Sequence, residues 1–210
     1  MNKIMQESHC AVYDNVLDKE TFNKCWEAIS HEEFSIPHIA NWTKVWRLTD
    51  GLCQGGKFYD SREGPYNNYM DVFKNCFLQF ASVHADMIGE YSHIALRAYL
   101  YPRDTKLNWH NDAGYKAAMI FYVHPYWAST WGGELMIAKT PYIDLASVPQ
   151  PCLDHTFEDE FLAHAGMGQY ITAKPNRIVI TKAGIWHSIN RVDKDAGDHV
   201  RSSIVGFFMP

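Results

Sequence analysis

Past residue 92 the chain carries one short, strand-like run after another, with no helical period between them. This order restricts the fold more than any other feature. Ile94 to Tyr101 alternates: Ile94, Leu96, Ala98 and Leu100 share one face, Arg97, Tyr99 and Tyr101 the other, and Pro102 closes the run. Ala117 to His124, Leu135 to Ala138, Arg177 to Lys182 and Val200 to Phe208 read as further strands. Two helices are expected before them. Asp18 is a good N-cap for a helix over about 18–32, where Phe22, Trp26 and Ile29 fall at helical spacing. Phe73, Cys76, Phe77, Phe80, Val83, Met87 and Ile88 give an apolar face to a second helix, from about Tyr69 to Tyr91. Helices first and uninterrupted short strands afterwards predict a mainly β chain. The expected architecture is an antiparallel sandwich or jelly roll backed by N-terminal helices, not alternating βαβ units.

The remaining segments are less regular. Residues 12–17 read as a short first strand, and 36–48 as a β-prone aromatic stretch ending in the turn Asp50-Gly51. Trp42, Trp46 and Arg47 in that stretch read as core and rim, with an overhang above a substrate mouth as the functional alternative. Residues 139–175 read as a long irregular connection holding Pro141, Pro149, Pro151 and the acidic Glu158-Asp159-Glu160. Connections of that length are usually lids or mobile segments. At 210 residues a single domain is expected, with about 1–92 as helical support and about 93–210 as a jelly-roll core carrying the 139–175 insert. A net charge of -5 without a long Lys/Arg run argues against a nucleic-acid partner. No apolar stretch reaches membrane-spanning length, and the N-terminus lacks a signal-peptide core. Cys10, Cys25, Cys53, Cys76 and Cys152 are scattered, without a C-x-x-C pair, and read as free thiols of a cytoplasmic protein.

Chemistry enters at Trp109-His110-Asn111-Asp112. On a strand His110 and Asp112 point the same way, so an imidazole and a carboxylate can share one metal ion. A third ligand from a distant strand would complete the 2-His-1-carboxylate face of non-haem Fe(II) oxygenases. The string alone is weak: with 11 histidines in the chain, chance supplies about 0.7 of an H-x-D match. A second one, His84-Ala85-Asp86, falls in a helical pattern where i and i+2 do not face each other. His187, after the strand 177–182 and a turn at Ala183-Gly184, is the preferred third ligand. His124 is the best rival, ahead of His155, His164 and His199. On the last strand Arg201 and Ser203 share a face with Val205 and Phe207. An arginine with a hydroxyl beside it suits bidentate capture of a carboxylate: buried beside an iron site the pair would hold the distal carboxylate of 2-oxoglutarate, and the alternative is a surface arginine on an edge strand.

In order, the chain presents Tyr101-Pro102, His110-Asn111-Asp112, Ile120-Phe121-Tyr122-Val123, Trp131-Gly132-Gly133-Glu134-Leu135, Trp186-His187 and Arg201-x-Ser203. As an ordered set these resemble the Fe(II)/2-oxoglutarate-dependent dioxygenases of the prolyl-4-hydroxylase-like branch. The resemblance implies a double-stranded β-helix (jelly roll, cupin-like). It implies Fe(II) on His110, Asp112 and His187, and 2-oxoglutarate on Arg201, Tyr122, Tyr101 and Ser203. O2 would be the oxidant and ascorbate a stimulant. The implied reaction hydroxylates an unactivated C–H bond and releases succinate and CO2. Related halogenases carry a small residue in place of the carboxylate, so Asp112 favours hydroxylation or another oxidation such as desaturation. Two features depart from the branch: many prolyl hydroxylases have Lys where Arg201 stands, and the 139–175 insert is long. A small-molecule substrate, an amino acid or biosynthetic intermediate, is expected, with a polypeptide side chain as the alternative. Candidate pocket residues are Trp109, Asn111, Tyr115, Lys116, His124, Trp131 and Trp186, with Arg47 and Asp50 further out. Two other classes stay open: a non-catalytic metal or ligand binder, which would not need Arg201, and Zn(II) hydrolysis, for which no general base stands ready.

Overall fold

In the computed structural model, which describes residues 1–35, 51–112, 114–138 and 166–210, the strands pair into two antiparallel sheets. The stretch 36–48, Asp50, and most of the 139–175 connection with His155 and His164 lie outside the described residues. The elements run β1 (Asn2–Gln6), β2 (Cys10–Asp14), α1 (Lys19–Ser30), β3 (Gln54–Asp60), α2 (Met70–Val83), α3 (Ala85–Ile88) and β4 (His93–Tyr101). They continue with β5 (Leu107–His110), β6 (Ala117–Tyr122), β7 (Leu135–Ala138), β8 (Gly168–Ile171), β9 (Arg177–Lys182), β10 (His187–Ile189) and β11 (Arg201–Met209). The major sheet has the order β1-β2-β9-β6-β11-β4-β3, the minor sheet β5-β10-β7-β8. This is the jelly roll with helical backing that the strand order implied.

Parity along the central strands divides the molecule into two cores. Met119 and Phe121 of β6, Ile94 and Leu96 of β4, and Ile204 and Phe208 of β11 face Phe22, Ile29, Phe73 and Phe77 of the helices. Their neighbours Ile120, Tyr122, Tyr99, Tyr101 and Phe207 face the minor sheet's Leu107, Leu135, Ile137 and Ile189. With both faces covered, β6 is buried throughout and reads as a continuous apolar run. At Gly206 a Cβ would stand 2.5 Å from the Phe77 ring, so the missing side chain lets α2 settle directly onto β11.

The N-terminal ninety residues are more than helical support. β1, β2 and β3 all join the major sheet, with β2 on β9 and β3 on β4. α1 starts where expected, its Asp18 carboxylate accepting from the Thr21 N–H at 2.9 Å. The second helix is shorter than its periodicity implied. It ends at Val83 because His84 leaves helical geometry and meets the Tyr13 hydroxyl at 2.9 Å in the core, and Gly89 at φ 72° ends the following turn α3. His84 is therefore a core residue, and its H-x-D string is structural. The 139–175 connection is not irregular throughout, since β8 pairs with β7.

Asp14 ties β2 to β9. Its carboxylate receives Arg177 Nε at 2.7 Å and Nη2 at 3.1 Å, and Lys174 Nζ at 2.6 Å. Burial alone would raise its pKa, but the hydrogen bonds and charges of Arg177 and Lys174 outweigh it and hold the carboxyl below its ordinary value. The folded state is thus stabilised above the ordinary aspartate pKa of about 4, and that contribution is lost as pH falls through the lowered value. Asp14→Asn, which leaves Arg177 without its counter-charge, is expected to cost roughly 3 kcal/mol in denaturant unfolding at neutral pH. Its unfolding free energy should also fall less steeply than the native protein's below about pH 4. Parallel acid limbs for the two proteins would contradict this role.

Candidate metal centre and carboxylate site

His110 ends β5 and His187 begins β10, and the two are direct partners across the antiparallel pair. Register therefore places both imidazoles on the inner face, with ring centroids 4.2 Å apart. Each ring is fixed by a short local bond: His110 Nδ1 to the Asn108 carbonyl at 2.7 Å, His187 Nδ1 to the Ile185 carbonyl at 2.8 Å. A carbonyl can only accept, so each Nδ1 carries a proton, which leaves Nε2 of each ring as the atom that can face a metal. Both Nε2 atoms face Asp112, at 3.9 Å from Oδ1 for His110 and 3.6 Å from Oδ2 for His187. Asp112 does not continue the strand as expected; β5 stops at His110, and the carboxylate turns in from the loop beyond. Burial, and next the neighbouring His187, lower the His110 pKa to about 4, which keeps that imidazole neutral. Among the described residues, these three are the only group of His, Cys, Asp or Glu donors clustered closely enough for a metal, all within 4.8 Å of one another. Two imidazole nitrogens and one carboxylate oxygen on one side of a cavity suit a divalent transition metal with positions to spare.

The same cavity runs to Arg201, which is 1% exposed. Its Nε donates to the Gly133 carbonyl at 2.7 Å, and the Tyr101 and Tyr122 rings flank the guanidinium, each centroid 4.9 Å away. Nη2 reaches the Tyr122 hydroxyl at 3.4 Å, while the buried Nη1 has no hydrogen-bond partner among the described residues. A buried cation with an unused donor beside a cavity is matched to a carboxylate. The turn Trp131-Gly132-Gly133 makes the cradle possible. Gly133 has φ 73°, and a Cβ there would stand 2.8 Å from the Arg201 Cδ. Burial raises the pKa of Tyr101 and Tyr122, so both remain protonated donors. Ser203 lines the cavity between Arg201 and Val205.

The cavity walls are apolar: Leu107, Ala118, Ile120, Leu135 and Ile189, with Val205 and Phe207 beyond them. Of the aromatic and polar pocket candidates read from the sequence, Arg47 and Asp50 lie outside the described residues, and none of the others is among the described residues that line the cavity. Trp109 lies with Lys106, Met136 and Arg191 along a separate groove. Asn111 is buried between the ligand candidates, Trp186 is fully buried beside His187, and Lys116 is exposed. Tyr115 packs on Phe207 at 4.7 Å, behind the cavity wall. His124 is held by the Ala173 carbonyl at 2.7 Å and the Ser202 N–H at 3.1 Å, which uses both ring nitrogens away from the triad. Trp131 stacks on the exposed His199 at 4.6 Å. The true wall was readable only through strand parity: Val205 and Phe207 share the face of Arg201, and Tyr99 that of Tyr101.

Comparison with known proteins agrees with this geometry. Residues 95–209 match the family model described as the 2OG-Fe(II) oxygenase superfamily. No curated protein matches the sequence. Among solved structures, the chain is similar to a Pseudomonas putida prolyl-4-hydroxylase, with TM-score 0.66, 14% identity, and 96% of this chain and 94% of that one covered. It is also similar to a Trichoplax adhaerens prolyl hydroxylase in complex with a hypoxia inducible factor peptide fragment (TM-score 0.66, 13% identity, 96% and 84% covered). A third likeness is to HygX from Streptomyces hygroscopicus with nickel and 2-oxoglutarate bound (TM-score 0.56, 9% identity, 96% and 83% covered). At these identities the likeness is one of fold.

Proposed function

The chain belongs to the 2OG-Fe(II) oxygenase superfamily, whose members use Fe(II), 2-oxoglutarate and O2, and from this premise we propose that it hydroxylates an unactivated C–H bond of a small molecule. An amino acid or a biosynthetic intermediate is the substrate class. His110, Asp112 and His187 hold the iron; Arg201 holds the distal carboxylate of 2-oxoglutarate, with Tyr101, Tyr122 and Ser203 around it. The observation that carries this reading is Arg201: a buried guanidinium whose Nη1 has no partner among the described residues, opening on the cavity that also holds the triad. A plain metal binder has no use for it.

Iron and 2-oxoglutarate, when bound, supply an oxidant derived from O2, with loss of CO2 and release of succinate. The protein does the rest. His110 and His187 present Nε2 in a fixed orientation, because their Nδ1 protons are committed to carbonyls. Asp112 adds the negative charge that a divalent cation requires, and its retention favours hydroxylation over halogenation. Arg201 sets which end of 2-oxoglutarate points away from the triad. Leu107, Leu135 and Ile189 give the cavity an apolar wall, which disfavours water beside the reacting groups.

Anaerobic addition of Fe(II) and 2-oxoglutarate should produce a weak visible charge-transfer band. Its absence at saturation would favour a non-catalytic ligand-binding role. The substrate itself is found by screening succinate release together with a mass shift of the product. Peptides belong in that screen, since the similar Trichoplax protein is in complex with a peptide fragment. Among the described residues no helix is long and apolar enough to cross a membrane. A cytoplasmic setting is part of the proposal, supported by the four buried free thiols Cys10, Cys25, Cys53 and Cys76.

A further inference from the structure

The inner face of the major sheet holds a second arginine cradle that shares its backbone anchor and flanking rings with the first, although of the two only Arg201 has a buried nitrogen without a partner among the described residues. Arg97 is 7% exposed. Its Nε donates to the Gly56 carbonyl at 2.8 Å, as Arg201 Nε donates to Gly133. Its guanidinium lies between the rings of Phe58 (4.4 Å) and Tyr99 (5.3 Å), as that of Arg201 lies between Tyr101 and Tyr122. A glycine makes the room in both: a Cβ on Gly55 would stand 2.5 Å from Arg97 Nη2. The irregular register of β3 between Gly55 and Phe58 is what allows Gly56 to turn its carbonyl onto Arg97.

Neither guanidinium forms a salt bridge with a carboxylate among the described residues, whereas the half-buried Arg177 has the buried Asp14. Burying a cation without a counter-ion is costly, so such a site is retained where a ligand supplies the anion. For Arg201 that ligand is 2-oxoglutarate. Arg97 needs another. The ladder between β4 and β11 gives its place: Arg201 pairs with Tyr101, Ser203 with Tyr99, and Val205 with Arg97. Tyr99 and Val205 line the cavity, and Arg97, which pairs with Val205, stands behind that wall about 13 Å along the strand from Tyr101 and Arg201.

Resting on the oxygenase reading above, we infer that Arg97 binds the carboxylate of the primary substrate, which is therefore an anionic small molecule. Its carboxylate takes the terminal amino groups of Arg97, and its apolar part lies along Val205 and Phe207 toward the triad. The planar fork of Arg97 matches a carboxylate bidentately, and an amide in its place forfeits the charge-assisted bonds.

The test uses calorimetric titration with short-chain aliphatic monocarboxylates and L-amino acids, alongside the primary amides of the same compounds. It is run on the Fe(II)- and 2-oxoglutarate-loaded protein without O2, and again on protein without either. At least one acid should bind the native protein well above its amide. Arg97→Gln should weaken that acid about 30-fold or more. Gly55→Ala keeps the cation but fills the space of the guanidinium, and should weaken the acid as well. In both variants an unchanged dissociation constant for 2-oxoglutarate reports an intact fold. Equal binding of acid and amide, native-like acid binding by Arg97→Gln, or no acid binding to the native protein would each overturn the inference. Failure of 2-oxoglutarate itself to bind would instead overturn the oxygenase reading, and the titration without metal and cosubstrate then decides Arg97 separately.

Discussion

Asp112→Ala protein is expected to lose iron-dependent succinate release by at least about 100-fold. Changes one layer outside a metal site already cost 10–100-fold, and Asp112 is assigned to the site itself. Its two oxygens stand 3.9 and 3.6 Å from the two Nε2 atoms, closer to both than any other described carboxylate. Alanine leaves two imidazoles facing a divalent cation with no anionic ligand. The imidazoles themselves should stay in place, because strand pairing and the Asn108 and Ile185 carbonyls hold them, not the carboxylate. Iron affinity by equilibrium dialysis and succinate formation should therefore fall together while the unfolding midpoint of the metal-free protein moves little. Near-normal succinate production would remove Asp112 from the ligand set.

The second large effect concerns 2-oxoglutarate. Arg201→Gln removes the only cation at that end of the cavity among the described residues, and with it two charge-assisted bonds of about 1.5–3 kcal/mol each. The KM for 2-oxoglutarate should rise at least about 100-fold, with part of the turnover recovered at high cosubstrate, and iron affinity should hold. Gly133→Ala tests the cradle without touching the charge. Its Cβ would meet Arg201 Cδ at 2.8 Å from a backbone at φ 73°, so the guanidinium must shift and 2-oxoglutarate affinity must drop. A 2-oxoglutarate KM unmoved by both substitutions would mean that the carboxylate binds elsewhere.

The sequence made the site more legible than its surroundings, and the reason is periodicity. Arg201, Ser203, Val205 and Phe207 share a face by alternation, and β11 keeps that alternation over nine residues. β7 and β9 were readable for the same reason. The elements that escaped have no period to read. β1 is an exposed edge strand, β3 carries Gly55-Gly56, and β10 is three residues long; each is a strand because of its partner, not its composition. His84 shows the converse. The helical period runs through it, and a hydrogen bond to Tyr13, far away in the sequence, overrules local preference. The substrate candidates drew on aromatic residues near the motifs. The cavity wall instead comes from aliphatic residues on five separate strands, which only the sheet order brings together.

The pairing of His110 with His187 has a consequence for folding as well as for chemistry. Both stand at strand ends, joined across a β10 that has three residues to hold it. An ion shared between them is a cross-link between two strands distant in sequence, and it closes a loop of most of the minor sheet. Occupancy at a hundredfold excess over the dissociation constant adds about 2.7 kcal/mol to the folded state. Metal supply would then govern how often this sheet opens, and the apoprotein, not the loaded enzyme, would be the form that proteases and chaperones meet first.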